Sequence, residues 1–181
     1  MTRSLGALEV IDADEVTHAL MGPETPLSID IAREFGSGML APDSSVDRQR
    51  LGRLVFDSPE ALRKLEALVH PAVRQYVDRK LEDTEGEVAA GVVTVEAIRL
   101  LDSPLLSRMQ GVWFVDSSLS KQFSRLTDLR GYSTEEAKKR IAAQPAFDRS
   151  LVTEVIRNDD TLDHLREAVS AAWLRFRDAG A

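Results

Sequence analysis

Apolar positions along the chain change their period several times, and each change marks an element. Residues 8–14 read Leu-Glu-Val-Ile-Asp-Ala-Asp, a short β-branched run that ends in two carboxylates, Asp12 and Asp14. A buried parallel strand delivering acids to its C-terminal edge has this form. A plain reading stands beside it, in which Asp12 or Asp14 caps the helix that follows over 15–21. That helix stops at Gly22-Pro23, and Thr25-Pro26 opens a second with Ile29, Ile31, Ala32 and Phe35 as its apolar positions and Gly36 as its end. Asp47 begins a third, with Leu51, Leu54, Val55 and Phe56 expected on one side. Ser58-Pro59-Glu60 starts a fourth, where Leu62, Leu65, Leu68 and Val69 recur at helical spacing. Pro71 is expected to kink or restart it at His70. The helix then resumes through Val73 and Val77 and dissolves over 82–87.

Further along, 91–95 and 112–115 are short β-rich runs, the second ending at Asp116-Ser117-Ser118. A less pronounced strand signal lies at 154–156. The last helix starts at Asp160-Thr161-Leu162-Asp163 and shows Leu162, Leu165, Val169, Trp173 and Phe176 on one face. Strands alternating with helices predict an α/β fold with a parallel sheet and flanking helices. Between the third strand and the last helix, Lys121, Arg125, Arg130, Lys138, Lys139 and Arg140 concentrate cations. Ser133-Thr134-Glu135-Glu136 is a capping box. This segment reads either as a solvated face balanced by its own glutamates or as a mobile arm bringing arginines to a polyphosphate.

Composition narrows the class. The 181 residues suit one domain, and 43% hydrophobic content is enough for a packed core. Without cysteine there is no disulfide framework, and three scattered histidines do not make a structural zinc site. A net charge of −7 argues against a broad nucleic-acid surface. No run of about 18 apolar residues suggests a membrane span. A cytoplasmic, globular, acidic protein is expected.

Taken together, the pieces resemble the dephospho-coenzyme A kinases, P-loop kinases of the nucleoside-kinase type. Val10-Ile11-Asp12-Ala13-Asp14 is similar to the family's second strand and acid pair. Gly22-Pro23-Glu24-Thr25-Pro26, Phe35-Gly36, Asp47-Arg48, Leu51 and Val55-Phe56 follow in the family's order. Leu65-Glu66-Ala67-Leu68-Val69-His70-Pro71 resembles its most recognisable internal motif. Gln122, Arg125-Leu126, Arg130, Ser133, Glu136-Ala137, Arg140-Ile141 and Gln144 resemble its lid. Val155-Ile156, Asn158 and Leu162 resemble its closing strand and helix.

The resemblance implies a single domain over 1–181, with a helical acceptor-binding insert at about 20–87 and a helical lid at about 118–152. The implied reaction is ATP-dependent phosphorylation of the 3′-hydroxyl of dephospho-CoA, the last step of coenzyme A biosynthesis. It implies ATP and Mg²⁺, no metal site built by the protein itself, and a monomer or weak oligomer. Asp14 is expected as the base, with Asp12 supporting it or contacting hydrated Mg²⁺. Arg140 and Arg125, with Arg149 third, are expected to stabilise transferred charge, and Asn158 to contact the nucleotide. His70, Asp47 and Arg48 are expected at the acceptor, although His70 equally suits a helix-end histidine beside a structural proline.

The sequence also departs from the family. No Gly-x-x-x-x-Gly-Lys-Ser/Thr motif occurs in these 181 residues. In register with the family, residues 1–6 match the end of the helix after that loop, so the sheet is expected to lack its central first strand. Each buried backbone group left unpaired costs roughly 1–3 kcal/mol against a total stability of about 5–15 kcal/mol. The chain alone is therefore expected to fold poorly and to show no useful kinase activity. Three further departures are Thr94-Val95-Glu96-Ala97-Ile98 in the middle strand, Val152-Thr153 before the last one, and a shortened lid. The last two leave a second reading open, a non-catalytic pseudo-kinase that binds a CoA-like ligand or a protein partner.

Overall fold

Asp12 closes the first strand and opens the first helix, and this junction sets the pattern for the chain. The computed structural model describes residues 1–85, 91–144 and 148–180. They form two compact units, one of residues 6–98 and one of residues 1–5 together with the chain from Arg99 on.

In the first unit, β1 (Glu9–Asp12) pairs in parallel with β2 (Val93–Glu96), with Glu9 opposite Val93 and Asp12 opposite Glu96. Between them run α1 (Ala13–Leu20), α2 (Pro26–Phe35), α3 (Arg48–Asp57) and α4 (Pro59–Glu85). Each of the first three begins on a side-chain cap, supplied by Asp12, Thr25 and Asp47. Their inward faces bury Met21, Leu27, Ile31, Val46 and Leu51 as one core, against which Leu65, Leu68, Val69 and Ala72 of α4 pack.

The apolar stripes are narrower than the sequence suggests. Leu27, Ser28 and Ile31 are the buried positions of α2, while Ile29 is half exposed. On α3, Leu51 is buried but Phe56 is 89% exposed. At 100° per residue Leu51 and Val55 share a face, and Phe56 turns away from it. The expected restart at Pro71 does not occur. The helix α4 continues through Pro71, and its neighbours α1, α2 and α3 pack along it. Proline removes only one donor and one turn's contact, which that packing outweighs. The expected fraying over 82–87 falls partly outside the described residues; α4 holds to Glu85.

In the second unit, β3 (Trp113–Asp116) pairs in parallel with β4 (Glu154–Arg157), so the less pronounced strand signal is a strand. The connection carries α5 (Leu119–Ser124), a π-helical turn over Arg125–Leu129, and α6 (Thr134–Ala142). The final helix α7 (Leu162–Gly180) buries Val169, Ala172 and Trp173. Trp113 meets Trp173 and Phe176 edge-on, with centroids 6.3 and 6.2 Å apart. Such pairs add about 0.5–1.5 kcal/mol each beyond their buried area. The face expected for α7 is thus the observed one, except that Leu162 is exposed. Thr153 ties the start of β4 to β3: its N–H donates to the Val112 carbonyl at 2.8 Å, and its Oγ1 accepts from Val112 N–H at 3.0 Å. The unusual residue at this position therefore has a structural use. The expected parallel sheet is present as these two two-stranded parallel pairs.

Ile31→Ala will destabilise the chain by about 2–5 kcal/mol, because Ile31 has no exposed surface. Ile29→Ala, two residues away, will stay within about 0.5 kcal/mol. Denaturant midpoints of the two variants check this, and equal losses would contradict the assignment of faces.

Candidate active site

Carboxylates gather where β1 and β2 end. The Asp12 side chain accepts hydrogen bonds from the N–H groups of Asp14, at 2.8 Å, and Glu15, at 3.2 Å. Asp12 is therefore the helix cap, and the plain reading of the acid pair holds for it. Asp14, in the first turn of α1, is exposed, and its carboxylate has no hydrogen bond or ion pair among the described residues. The parallel register sets Glu96 opposite Asp12, so a third carboxylate ends at the same edge. Motif spacing marks Glu96 only as part of a departure from a family pattern, and its place at this edge comes from strand pairing.

The other expected acceptor residues are spread through the same unit. Asp47 caps α3 by accepting from Arg50 N–H at 2.9 Å, and its second oxygen lies 3.7 Å from Arg50 Nε. Its carboxylate is thus largely committed to holding the helix. Arg48, the first residue of α3, is exposed and unpaired among the described residues. His70 is exposed too, and helical spacing puts it on the face of α4 that carries the buried Val73 and Val77.

In the second unit, two expected residues meet directly. Arg125 Nη2 donates to both the carbonyl and Oδ1 of Asn158, at 2.6 and 3.0 Å. Asn158 N–H donates to the Asp116 carbonyl, and Ser118 N–H donates to Asp159 Oδ1 at 2.7 Å. The carboxyl ends of β3 and β4 are further joined by Arg157 and Asp116, 2.6 Å apart at one register position. The hydrogen bond from Ser118 holds the Asp159 carboxyl below its ordinary value. Gln122 donates to the Ser117 carbonyl at 2.8 Å, while its buried Oε1 has no partner among the described residues. Arg149 lies in a short 3₁₀ turn capped by Asp148.

The basic arm is built tightly. Gly131, at φ +69°, takes the left-handed conformation that turns the chain from the π-helical segment toward α6. The capping box is present in full: Ser133 Oγ accepts from Glu136 N–H at 3.3 Å, and Glu136 accepts from Ser133 N–H at 3.0 Å and from its hydroxyl at 2.6 Å. These bonds, the one from the Ser133 side chain foremost, hold the Glu136 carboxyl below its ordinary value. Arg140 lies over the ring of Tyr132, 4.2 Å from its centroid. The sequence analysis missed Tyr132, although its place just before a capping box and two helical turns from Arg140 was a usable signal.

One unit has parallel strands ending beside a free carboxylate, and the other has an arginine-bearing helical arm, and each feature is of a kind used in phosphoryl transfer. Comparison with known proteins narrows that class. The model of the dephospho-CoA kinase family matches residues 2–164. The dephospho-CoA kinase of Symbiobacterium thermophilum is 43% identical over 96% of this chain and 72% of its own length. That of Geobacillus kaustophilus is 37% identical over 94% of this chain and 85% of its own. Among solved structures, the dephospho-CoA kinase from Campylobacter jejuni superposes with a TM-score of 0.71 at 20% identity, covering 99% of this chain and 90% of that one. TT1252 from Thermus thermophilus gives 0.64 at 27% identity, over 96% and 87%. The chain belongs to the dephospho-CoA kinase family.

Because its folded pKa is depressed, Glu136 supports the start of α6 fully above the ordinary glutamate value of 4.5, and loses that support as pH falls through the lowered value. A carboxyl-carbon NMR titration will give Glu136 a midpoint below 4.5, and Ser133→Ala will move it back up. A midpoint indifferent to that substitution would contradict the capping assignment.

Proposed function

We propose that this chain supplies the acceptor site and the base, Asp14, of a kinase that phosphorylates the ribose 3′-hydroxyl of dephospho-CoA at the expense of ATP. The observation that carries the role of Asp14 is the division of labour at the end of β1. Asp12 is consumed by capping, while Asp14 beside it keeps both oxygens unengaged. A sugar hydroxyl is a poor nucleophile, and a carboxylate that orients it and takes its proton gives the activation it lacks. Arg140 then meets the charge that spreads over the transferred group, with Arg149 assisting, and Arg125 with Asn158 receives the nucleotide. The shielded Gln122 Oε1 beside them supports that last assignment, as an acceptor that a ligand donor can satisfy. Residues 20–87 serve the acceptor, through His70, Asp47 and Arg48, and residues 118–152 act as the lid.

The donor set suits a Mg²⁺ ion that arrives on nucleotide phosphates and keeps most of its water. Among the described residues no group of three or more His, Asp or Glu side chains forms a cage. The Asp12 oxygen not used in capping is the group that would hold its water shell. Bound there, the ion would neutralise phosphate charge.

The phosphate-cradling Gly-x-x-x-x-Gly-Lys-Ser/Thr sequence does not occur in these 181 residues. Measured by themselves, they will bind dephospho-CoA but transfer phosphate slowly. Val152-Thr153 and the shortened lid favour a second reading, a pseudo-kinase that binds a CoA-like ligand or a protein partner. A cytoplasmic setting accords with helices none of which, among the described residues, is long and apolar enough to cross a membrane.

Calorimetry with dephospho-CoA and a labelled-phosphate assay with ATP test the proposal. The chain as given will bind dephospho-CoA at around micromolar affinity and turn over near background. Preceded by a strand and phosphate loop taken from a relative, it will gain turnover, and Asp14→Asn will then lower kcat by roughly 10²–10⁴-fold. An unchanged kcat would remove Asp14 as the base. Binding with no gained turnover would favour the pseudo-kinase.

A further inference from the structure

Among the described residues, Arg140 has no ion pair, and what holds it is the Tyr132 ring. Glu136, one turn earlier on α6, is close enough for Arg140 to help lower its pKa, but its carboxylate is already engaged by Ser133. The ring itself is well fixed. Gly131 turns the chain at φ +69°, Tyr132 N–H donates to the Leu126 carbonyl at 3.0 Å, and the next residue is the helix cap. Tyr132 is half-buried and Arg140 is exposed.

The kind of contact matters. A carboxylate partner would hold a guanidinium through its in-plane N–H donors and would have to be displaced before an anion could bind. A ring below the plane orients the same group through its π face and leaves all five donors directed outward. It also narrows the orientations that the long side chain would otherwise lose on binding.

We infer that Tyr132 is a positioning residue for Arg140, holding the guanidinium over its ring with its donors free for the oxygens of a polyphosphate. This rests on the reading of Arg140 as a polyphosphate contact.

Inorganic tripolyphosphate, titrated calorimetrically into the full chain, tests both layers separately. Tyr132→Leu will weaken binding about two- to fivefold, the range expected for an exposed cation–π contact, and Tyr132→Phe will bind like the parent. In an Arg140→Gln background, Tyr132→Leu will cost nothing further. Tyr132→Met serves in the same role if the leucine variant melts abnormally. The positioning role is overturned if Phe weakens binding as much as Leu, if Leu binds like the parent, or if Leu is equally costly with and without Arg140. If Arg140→Gln binds as well as the parent, or the parent shows no saturable binding, the underlying reading of Arg140 fails and the role of Tyr132 falls with it.

Discussion

Parallel pairing is the constraint on which this chain's chemistry depends. Two parallel strands end on the same edge, so whatever follows each of them is brought to one place within its pair. At β1 and β2 the register puts Asp12 opposite Glu96, with Asp14 two residues beyond the strand. At β3 and β4 it puts Asp116 opposite Arg157, and the next residues, Ser118, Asn158 and Asp159, are laced together by hydrogen bonds. Antiparallel hairpins of the same residues would have scattered these groups to opposite ends.

A second theme is how side chains divide between holding backbone and staying available. Asp12, Asp47, Asp148 and Ser133 are spent on the open donors of helix starts. A carboxylate that accepts two backbone hydrogen bonds is well fixed but has little left for a substrate. Asp14, Arg48 and Arg140 have no such duty. The capping residues decide where the helices begin, and their exposed neighbours are placed by them.

Much of this was legible from the sequence where local rules act alone. The strands at 112–115 and 154–156, the capping box at Ser133 and the aromatic face of α7 all follow from short-range pattern. The acid pair was legible as a pair, but not which member would be the cap, since either aspartate could reach the free amides of α1. Phe56 and Ile29 were misjudged because helical spacing tells which residues share a face only once the width of that face is known, and width is set by neighbouring helices. The restart expected at Pro71 was misjudged for a related reason. Its local cost is real, but tertiary packing along α4 exceeds it. Tyr132 was invisible to motif reasoning because its role comes from lying beside Arg140, not from its own backbone position.

The uninterrupted α4 has a mechanical consequence. At 1.5 Å per residue its 27 residues form a rod about 40 Å long. Lys80, ten residues and about 15 Å beyond His70 along that rod, grips Glu9 of β1 at 3.5 Å. One continuous helix thus links the residue expected at the acceptor to the strand that ends in Asp12. A displacement of α4 near His70 therefore bears, through Lys80 and Glu9, on the strand whose end places Asp12 and Asp14.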